Sequence, residues 1–275
     1  MEYEIENHLA SDFERQLFKA SLYNLKDSGN PLRLNNFAYS LRELTRHFLE
    51  RLAPDGEVRQ APWYRIHDPK KPEMITRTQR MQYAVHGWLV PEYVKSELGV
   101  DTEDIIKELN DGINRLSKFT HVNPSTFNCD DNTTKQLSNE ILESVLSFFQ
   151  LIDESRKRVE EAAFDCVDEE MVSSFYGTTF NEIDMLATHH EIECFIVSRM
   201  DKTGEDDGNF YMEADGEVHV RLQYGSDGDM RRGDGHEMHT SLPFTSTFTV
   251  SFKNEKGDLH LTDPNIEIDN SSFYE

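Results

Sequence analysis

The spacing of apolar residues changes from a helical period to a period of two near His190, and this change dictates a helical part followed by a strand-rich part. Before that point apolar residues recur every three or four positions, the pattern of an amphipathic helix. The clearest set is Phe37, Leu41, Leu44, Phe48 and Leu52. After that point polar and apolar residues alternate, as in half-buried strands. The sequence therefore predicts an α+β protein.

Helical patterns fill most of residues 1–188, and the clearest start signal is the capping-box pair Ser11 and Glu14. Residues 54–73 hold four prolines without a clear period, which indicates a long loop. The predicted helices are residues 11–26, 36–52, 76–88, 91–98, 102–120 and 134–166, with shorter signals over 168–187. These patterns predict an N-terminal helical bundle over residues 1–188.

Alternating patterns predict an acidic antiparallel β domain over residues 189–275. The predicted strands are residues 192–200, 210–214, 218–224, 242–252 and 259–266. Asp215-Gly216 is typical of a two-residue hairpin turn, and residues 226–239 are a loop rich in glycine and aspartate. We expect a small β-sandwich or a curled sheet.

The net charge of −24 is unevenly distributed along the chain. Residues 1–130 carry 17 Lys and Arg against 20 Asp and Glu, whereas residues 131–275 carry 11 against 32. Because an acidic surface repels phosphates, any nucleic-acid site is expected in the first half. The acidic second part is better suited to contact a basic protein.

The sequence lacks the signals of membrane, secreted and common cofactor-binding proteins. We therefore expect a cytoplasmic protein that needs no metal or cofactor. No run of about 18 apolar residues occurs, and the first four residues (MEYE) are unlike a secretory signal. Three widely spaced cysteines, Cys129, Cys166 and Cys194, argue against a disulfide framework. Motifs of P-loop NTPases, dehydrogenases, α/β-hydrolases and zinc deaminases are missing from the sequence.

Arg115 and His121 are a candidate catalytic pair near the end of a predicted helix. An imidazole can move a proton at the ribose 2′-OH while a guanidinium stabilises a pentavalent phosphate, so this pair suits metal-independent RNA cleavage. On an unbroken helix the side chains lie about 120° apart. They converge only if the helix ends after Phe119 or a second subunit completes the site. The alternative is structural, with Arg115 paired to Asp111 and His121 at the helix end.

A basic cluster is expected where two predicted helices adjoin. Arg42 and Arg46 lie one turn apart on one helix, and Arg77 and Arg80 do so on another. Four guanidinium groups in this arrangement suit a nucleic-acid phosphate groove. The alternative is a solvated face in which the arginines pair with Glu43 and Glu50.

Two acidic patterns complete the candidates. Pro54-Asp55 followed by Asp68-Pro69-Lys70 matches the string of a restriction-type magnesium nuclease, but the second set lies in a proline-rich loop where no strand is expected. Residues 226–237 carry Asp227, Asp229 and Asp234, which we interpret as a partner-binding loop or a turn region with local ion pairs.

The chain resembles the predicted nuclease family associated with prokaryotic PIWI (Argonaute-like) proteins. The blocks that carry this resemblance are residues 30–47 (NPLRLNNFAYSLRELTRH), 61–64 (APWY), 76–80 (TRTQR), 116–122 (LSKFTHV), 222–227 (LQYGSD) and 232–235 (RGDG). The resemblance implies a nuclease in a bacterial conflict system, acting with an Argonaute-like protein.

The helical half also resembles HEPN domains, which are helical bundles, often dimeric, whose ribonucleases use an arginine followed after four to six residues by a histidine. Arg115 and His121 match that spacing, although Leu116 stands where such motifs often have Asn, Asp or His. The leading hypothesis is therefore a metal-independent endoribonuclease that acts on RNA. The resemblance also implies that the protein can form a homodimer. A non-catalytic module that binds an Argonaute-like or other basic protein is the alternative, and a magnesium-dependent DNase is the third.

Overall fold

The computed structural model describes residues 1–187, 189–206, 208–262 and 264–274 of a chain that divides into two compact units. The first unit comprises Met1–Val159 with Glu255–Gly257, and the second comprises Glu160–Asn254 with Asp258–Glu275. The first unit is built of helices and the second contains an antiparallel sheet, which confirms the α+β prediction. No helix in the described ranges has both the length and the apolar character that a membrane span requires.

The described helices that begin in the first unit follow the predicted pattern closely, with two of them absent from the prediction. Helices α1 and α4 were not expected, and α4 lies in the stretch assigned to a loop, where it buries Val58 completely. The helices that begin in the first unit are α1 (Glu2–His8), α2 (Asp12–Lys26), α3 (Arg33–Leu52), α4 (Asp55–Gln60), α5 (Arg77–His86), α6 (Pro91–Ser96), α7 (Glu103–Phe119) and α8 (Asp131–Gly177). Helix α8 continues into the second unit.

Side-chain caps explain where two of these helices begin. The Ser11 hydroxyl accepts the backbone N–H of Glu14 at 3.1 Å, and the Glu14 carboxylate accepts the N–H of Ser11 in return. Thr76 and Gln79 form the same reciprocal arrangement at the start of α5. Each cap satisfies amides that have no partner within the helix. The cap at Thr76 therefore fixes where Arg77, the first residue of α5, lies.

Helix α7 is the centre of the first unit, because it packs against both α3 and α5. Its apolar stripe is buried and includes Leu109, Ile113 and Leu116. At Gly112 a Cβ atom would lie only 2.3 Å from the Ile141 side chain of α8, so glycine permits a close approach of these two helices. The polar face of α7 is thereby left to face solvent.

The second unit contains one five-stranded antiparallel sheet. Of the two arrangements expected, it forms the curled sheet. The strand order is β1-β2-β3-β4 with β5 paired beside β3. The elements are α9 (Asn181–Asp184), β1 (His189–Glu205), β2 (Asn209–Tyr224), α10 (Asp227–Arg232), β3 (His236–Ser251), β4 (His260–Leu261), β5 (Asn265–Ile268) and a short 3-10 helix (Ser271–Tyr274).

The predicted hairpin turn at Asp215-Gly216 is wrong. Strand β2 runs unbroken through both residues, and Gly216 pairs with Val197 of β1 and Phe244 of β3. A Cβ atom on Gly216 would lie 2.0 Å from the backbone oxygen of Ile196. Glycine at this position therefore allows the neighbouring strand to approach closely. The dipeptide Asp-Gly alone does not distinguish this use of glycine from a hairpin turn.

Aromatic packing around Phe175 forms the core of the second unit. The ring of Phe175, near the end of α8, stacks on Phe195 at 4.5 Å between centroids and meets Phe244 edge-on at 4.9 Å. Phe175 and Phe244 are almost completely buried. Burial of one such side chain contributes about 2–3 kcal/mol.

Two predicted elements include a residue that lies outside the described ranges. Thr188, the last residue of the predicted helical domain, is one of them, and the division at residues 188 and 189 stays a prediction. Asp263, inside the predicted strand 259–266, is the other, and β4 and β5 lie on its two sides.

We expect Gly216→Ala to lower the free energy of unfolding by about 1–3 kcal/mol, because the new methyl group forces the backbones of β1 and β2 apart. The matched control is Gly204→Ala in β1, where a Cβ meets only the Tyr211 ring at 3.4 Å. Urea denaturation followed by circular dichroism measures both. Equal stability of the two variants contradicts this explanation.

Acid sensitivity is expected from His86, whose ring is buried on α5 and lies 3.1 Å from the Thr102 hydroxyl. Burial lowers the pKa of His86 to about 4, from 6.5 in the unfolded chain. The unfolded chain therefore binds a proton first as the pH falls, and stability is lost between about pH 6.5 and pH 4. A shift of this size corresponds to about 3 kcal/mol.

Comparing unfolding at pH 7 and pH 4 isolates this contribution. We expect His86→Gln to lose about 3 kcal/mol less than the wild type over this interval. His67→Gln, at an exposed position, is the control and should follow the wild type. If His86→Gln and His67→Gln lose equal stability, His86 is not the responsible group.

Candidate nucleic-acid interface

The four predicted arginines, Arg42 and Arg46 on α3 with Arg77 and Arg80 on α5, line one groove of the first unit. The groove has a volume of about 270 Å³, and its floor is apolar. The arginines meet because spacings of three and four residues place each pair on one helix face, and α3 packs against α5. The remaining lining residues are Glu43, Thr45, Leu49, Glu50, Ile75 and Ile113.

Arg46 is neutralised by carboxylates on its own helix. Its guanidinium donates to Glu50 at 2.9 Å and to Glu43 at 3.1 Å. These hydrogen bonds, to Glu50 first, raise the pKa of Arg46 above its usual value. Arg46 thus makes the ion pairs of the structural alternative, and its role in nucleic-acid binding stays a prediction.

Arg80 joins helices instead of facing an open groove. Its guanidinium donates to the backbone oxygen of Ala53 at 2.7 Å and to Asp55 at 2.5 Å, and only 16% of its side chain is exposed. Ala53 is the C-cap residue, directly after Leu52 at the end of α3. Arg80 therefore satisfies a free carbonyl at the end of α3 and anchors α5 beside it.

Arg77 is held by amides and not by a carboxylate. One of its terminal nitrogens, Nη1, lies 3.1 Å from the side-chain oxygens of both Asn110 and Asn114 on α7. Burial, and secondly the charge of the nearby Arg42, lower the pKa of Arg77. The two asparagines orient the guanidinium without cancelling its charge.

Arg42 stands beside Arg77 with its charge uncompensated. Within the part of the chain that the structure describes, Arg42 makes neither a hydrogen bond nor an ion pair, and its positive charge repels that of Arg77. Arg42 and Arg77 therefore form a positive centre in the groove that no described carboxylate neutralises.

Arg115 lies on the solvent-facing side of α7, paired across to α8. Its guanidinium donates to Glu140 at 2.7 Å and is 46% exposed. Gln136 holds the other oxygen of Glu140 at 2.9 Å. The partner of Arg115 is thus Glu140, and not the Asp111 considered from the sequence. Arg115 borders two shallow depressions, and neither is lined by His121.

His121 lies in an ordered loop just after α7. The helix ends at Phe119, which is the break that the catalytic hypothesis requires. The buried Asn35 of α3 donates to the backbone oxygen of Phe119 at 2.8 Å, and the buried Thr126 donates its hydroxyl to the backbone oxygen of His121 at 3.0 Å. The His121 side chain is exposed. The main chain of His121 is thus fixed while its imidazole is free to meet a ligand.

Asn114 connects the groove to the region around Arg115. It accepts a hydrogen bond from Arg77, and it lines the same depression as Arg115, its neighbour in sequence. Lys118 lines that depression as well. Asp104, Glu108 and Asp111 also line that depression, so its charge is mixed.

The acidic residues of the restriction-type pattern contact other groups of the first unit. Asp55 pairs with Arg80 and, at 3.2 Å, with Arg59. The Asp68 carboxylate accepts the backbone N–H of Lys70. Over the described ranges no group of three or more His, Cys, Asp and Glu side chains is arranged to hold a metal ion.

The predicted acidic loop contains a short helix, α10, and its carboxylates are engaged locally. Ser226 is the N-cap of α10, and the Asp229 carboxylate accepts the backbone N–H of Ser226 and pairs with Arg232 at 2.6 Å. Asp234 lies 3.7 Å from the same arginine, and Asp227 accepts from Gln223 at 3.1 Å. The interpretation as a turn region with local ion pairs describes these contacts, and partner binding by the three aspartates stays a prediction.

Sequence reasoning missed the residues that orient the arginines. Asn110 and Asn114 occupy positions one turn apart on α7, directly before Arg115, and this spacing was a usable signal. Glu140 gave no such signal, because it comes from another helix.

These features define an α+β protein whose helical unit carries an arginine-lined groove. Two family models, both described as predicted pPIWI-associating nuclease, match residues 6–145 and residues 152–274. The chain belongs to this family of predicted pPIWI-associating nucleases, as the sequence resemblance indicated. No curated protein and no solved structure matches the chain.

The contacts of two groove arginines predict that their replacement by alanine changes the free energy of unfolding by different amounts. Arg80→Ala should lower the free energy of unfolding by about 1–3 kcal/mol, because the Ala53 carbonyl and Asp55 lose a charged donor. Arg42→Ala should change it by less than about 0.5 kcal/mol, because no described contact is lost. Thermal or urea denaturation distinguishes them, and an equal loss in both variants contradicts the assignment.

Proposed function

We propose that this chain is a metal-independent endoribonuclease of the HEPN type, working in a bacterial defence system. Its membership of a family of predicted nucleases supports a nuclease role. The observation that carries the proposal is the uncompensated Arg42 and Arg77 pair in a groove beside α7, the helix that also carries Asn114 and Arg115. In a chain of charge −24, this is where a polyanion meets attraction instead of repulsion.

His121 is the proposed acid and base. It takes the proton from the ribose 2′-OH as that oxygen attacks the adjacent phosphorus, and a proton is returned to the 5′-oxygen as the P–O bond breaks. The products are a 2′,3′-cyclic phosphate and a free 5′-OH. The 2′-OH is obligatory for this reaction, so RNA and not DNA is the substrate.

Arg115 is the proposed transition-state stabiliser. A guanidinium with its planar set of donors suits the extra negative charge on a pentavalent phosphate. In the present arrangement Glu140 occupies Arg115, so RNA binding has to displace that contact. Both groups are substantially exposed, and an ion pair of this kind is worth only about 0–1 kcal/mol, which makes the exchange easy.

The four arginines of the groove are proposed to hold RNA by phosphate, with unequal shares. Arg42 and Arg77 have charge available for a phosphate, whereas Arg46 and Arg80 form the walls and are engaged with carboxylates. A homodimer, as in many HEPN domains, is part of the proposal, since a second subunit can bring His121 and Arg115 together across an interface.

A second candidate function is a non-catalytic module that binds a pPIWI protein. The observation that favours it is the charge of the second unit, which carries 6 Lys and Arg against 26 Asp and Glu within its bounds. Such a surface attracts a basic partner and repels RNA. Asp227, Asp229 and Asp234 belong to this acidic unit. Co-purification lost with added salt, from a chain without nuclease activity, supports this function.

A magnesium-dependent DNase is the third candidate, and it depends on Asp55, Asp68 and Lys70. Asp55 would have to leave Arg59 and Arg80 to bind a metal ion. Cleavage of DNA that appears only with Mg²⁺ supports this candidate over the first.

We expect the wild-type chain to cleave single-stranded RNA in EDTA. The His121→Ala variant should cleave it at least about 100-fold more slowly, because loss of a general acid or base usually lowers the rate by that much or more. Arg115→Ala should be similarly slow, and Glu140→Gln should remain active because it only frees Arg115. Gel analysis of end-labelled RNA with mapping of the 2′,3′-cyclic phosphate measures this.

The control for His121→Ala is His67→Ala, another exposed histidine of the first unit. It should cleave at the wild-type rate. Wild-type activity in His121→Ala removes His121 from the mechanism, and a DNA substrate cut only with Mg²⁺ removes the metal-independent reaction altogether.

A further inference from the structure

Among the described helical arginines of the first unit, Arg42 and Arg77 are two that share a groove and lack a described carboxylate partner; Arg156 on α8 lacks one as well, but it is exposed and does not line that groove. Others on these helices sit against carboxylates, as Arg15 does with Asp12 and Arg51 with Glu14. With 52 acidic residues in the chain, a carboxylate partner is easy to provide. Two neighbouring guanidinium groups in one groove without such a partner among the described residues indicate a site whose counter-charge comes from a ligand.

The donors of this pair are free and oriented. Asn110 and Asn114 both engage Nη1 of Arg77, which leaves its Nε and Nη2 without a protein acceptor in the described ranges. All the donors of Arg42 are likewise free of described acceptors. Guanidinium groups bind phosphate oxygens through two parallel hydrogen bonds, so two of them can enclose one phosphate.

The surroundings favour a single phosphate over a long track. The groove is small, at about 270 Å³, and Glu43 and Glu50 line it beside the free pair. These carboxylates repel the further phosphates of a continuous backbone. Two uncompensated positive charges also match the charge of a terminal phosphate, about −2 at neutral pH, better than the single charge of an internal phosphodiester.

We propose that Arg42 and Arg77, oriented by Asn110 and Asn114, form a binding site for the terminal phosphate of an RNA chain. The proposal rests on the function proposed above for the choice of RNA, and it adds that the nuclease senses a phosphorylated RNA end. Arg46 and Arg80 close the groove and keep it in shape.

The test measures binding and not cleavage. Fluorescence anisotropy with the full chain compares three six-nucleotide RNAs that carry 2′-O-methyl groups and cannot be cleaved: one with a 5′-phosphate, one with a 3′-phosphate and one with neither. We expect one phosphorylated form to bind at least tenfold more tightly than the unphosphorylated RNA. Equal binding of all three overturns the proposal.

Two variants, one inside the groove and one outside it, separate the site from the general effect of removing a positive charge. Arg42→Ala should abolish the preference for the phosphorylated RNA, since one of the two enclosing groups is lost. Lys19→Ala on α2, outside the groove, also removes one positive charge but should retain the preference to within about threefold, because Lys19 is exposed and pairs with Glu6. An equal loss in both variants overturns the proposal.

Competition identifies the source of the phosphate. An excess of a nucleoside monophosphate should displace the phosphorylated RNA poorly, since a chain end is the proposed ligand. Displacement as effective as that by unlabelled phosphorylated RNA overturns the assignment to a chain end.

The outcome of these binding experiments is independent of the nuclease proposal. A chain that prefers phosphorylated ends but never cuts RNA contradicts only the endoribonuclease, and one that cuts RNA without this preference contradicts only the terminal-phosphate site.

Discussion

The packing of α7 against α3, α5 and α8 is the constraint on which the candidate site depends. Its apolar stripe is buried in the first unit, and Gly112 lets Ile141 of α8 approach closely. Its opposite face then carries Asn110 and Asn114 to Arg77, and Arg115 to Glu140. One amphipathic helix thus orients both the groove and the proposed catalytic arginine.

Charge is organised in the chain at two scales. At the scale of the whole chain, the second unit is strongly acidic and the first is nearly balanced, which directs polyanions to the helices. At the scale of side chains, Arg46 and Arg80 are satisfied by carboxylates, and Arg42 and Arg77 are not. The second scale determines which of four similar residues can bind a ligand.

The helices and the curled sheet were predictable because apolar periodicity depends only on local sequence. The capping box at Ser11 and the end of α7 at Phe119 follow from the same local signals. The error at Asp215-Gly216 has a non-local cause. Whether a glycine serves a turn or a close approach depends on the neighbouring strand, here the Ile196 carbonyl, and that strand is distant in sequence.

The sequence by itself determined the α+β layout, the acidic second part and the family of predicted pPIWI-associating nucleases, because periodicity, composition and motif blocks are properties of the linear chain. It also named four arginines that would form a cluster if their two helices adjoined. Only the tertiary structure decided that Arg80 is a structural anchor, that Arg46 is neutralised and that Arg42 and Arg77 stand uncompensated. The partners that make this difference, Asp55, Asn110 and Asn114, come from other helices, and a side chain's available charge depends on what folding brings beside it.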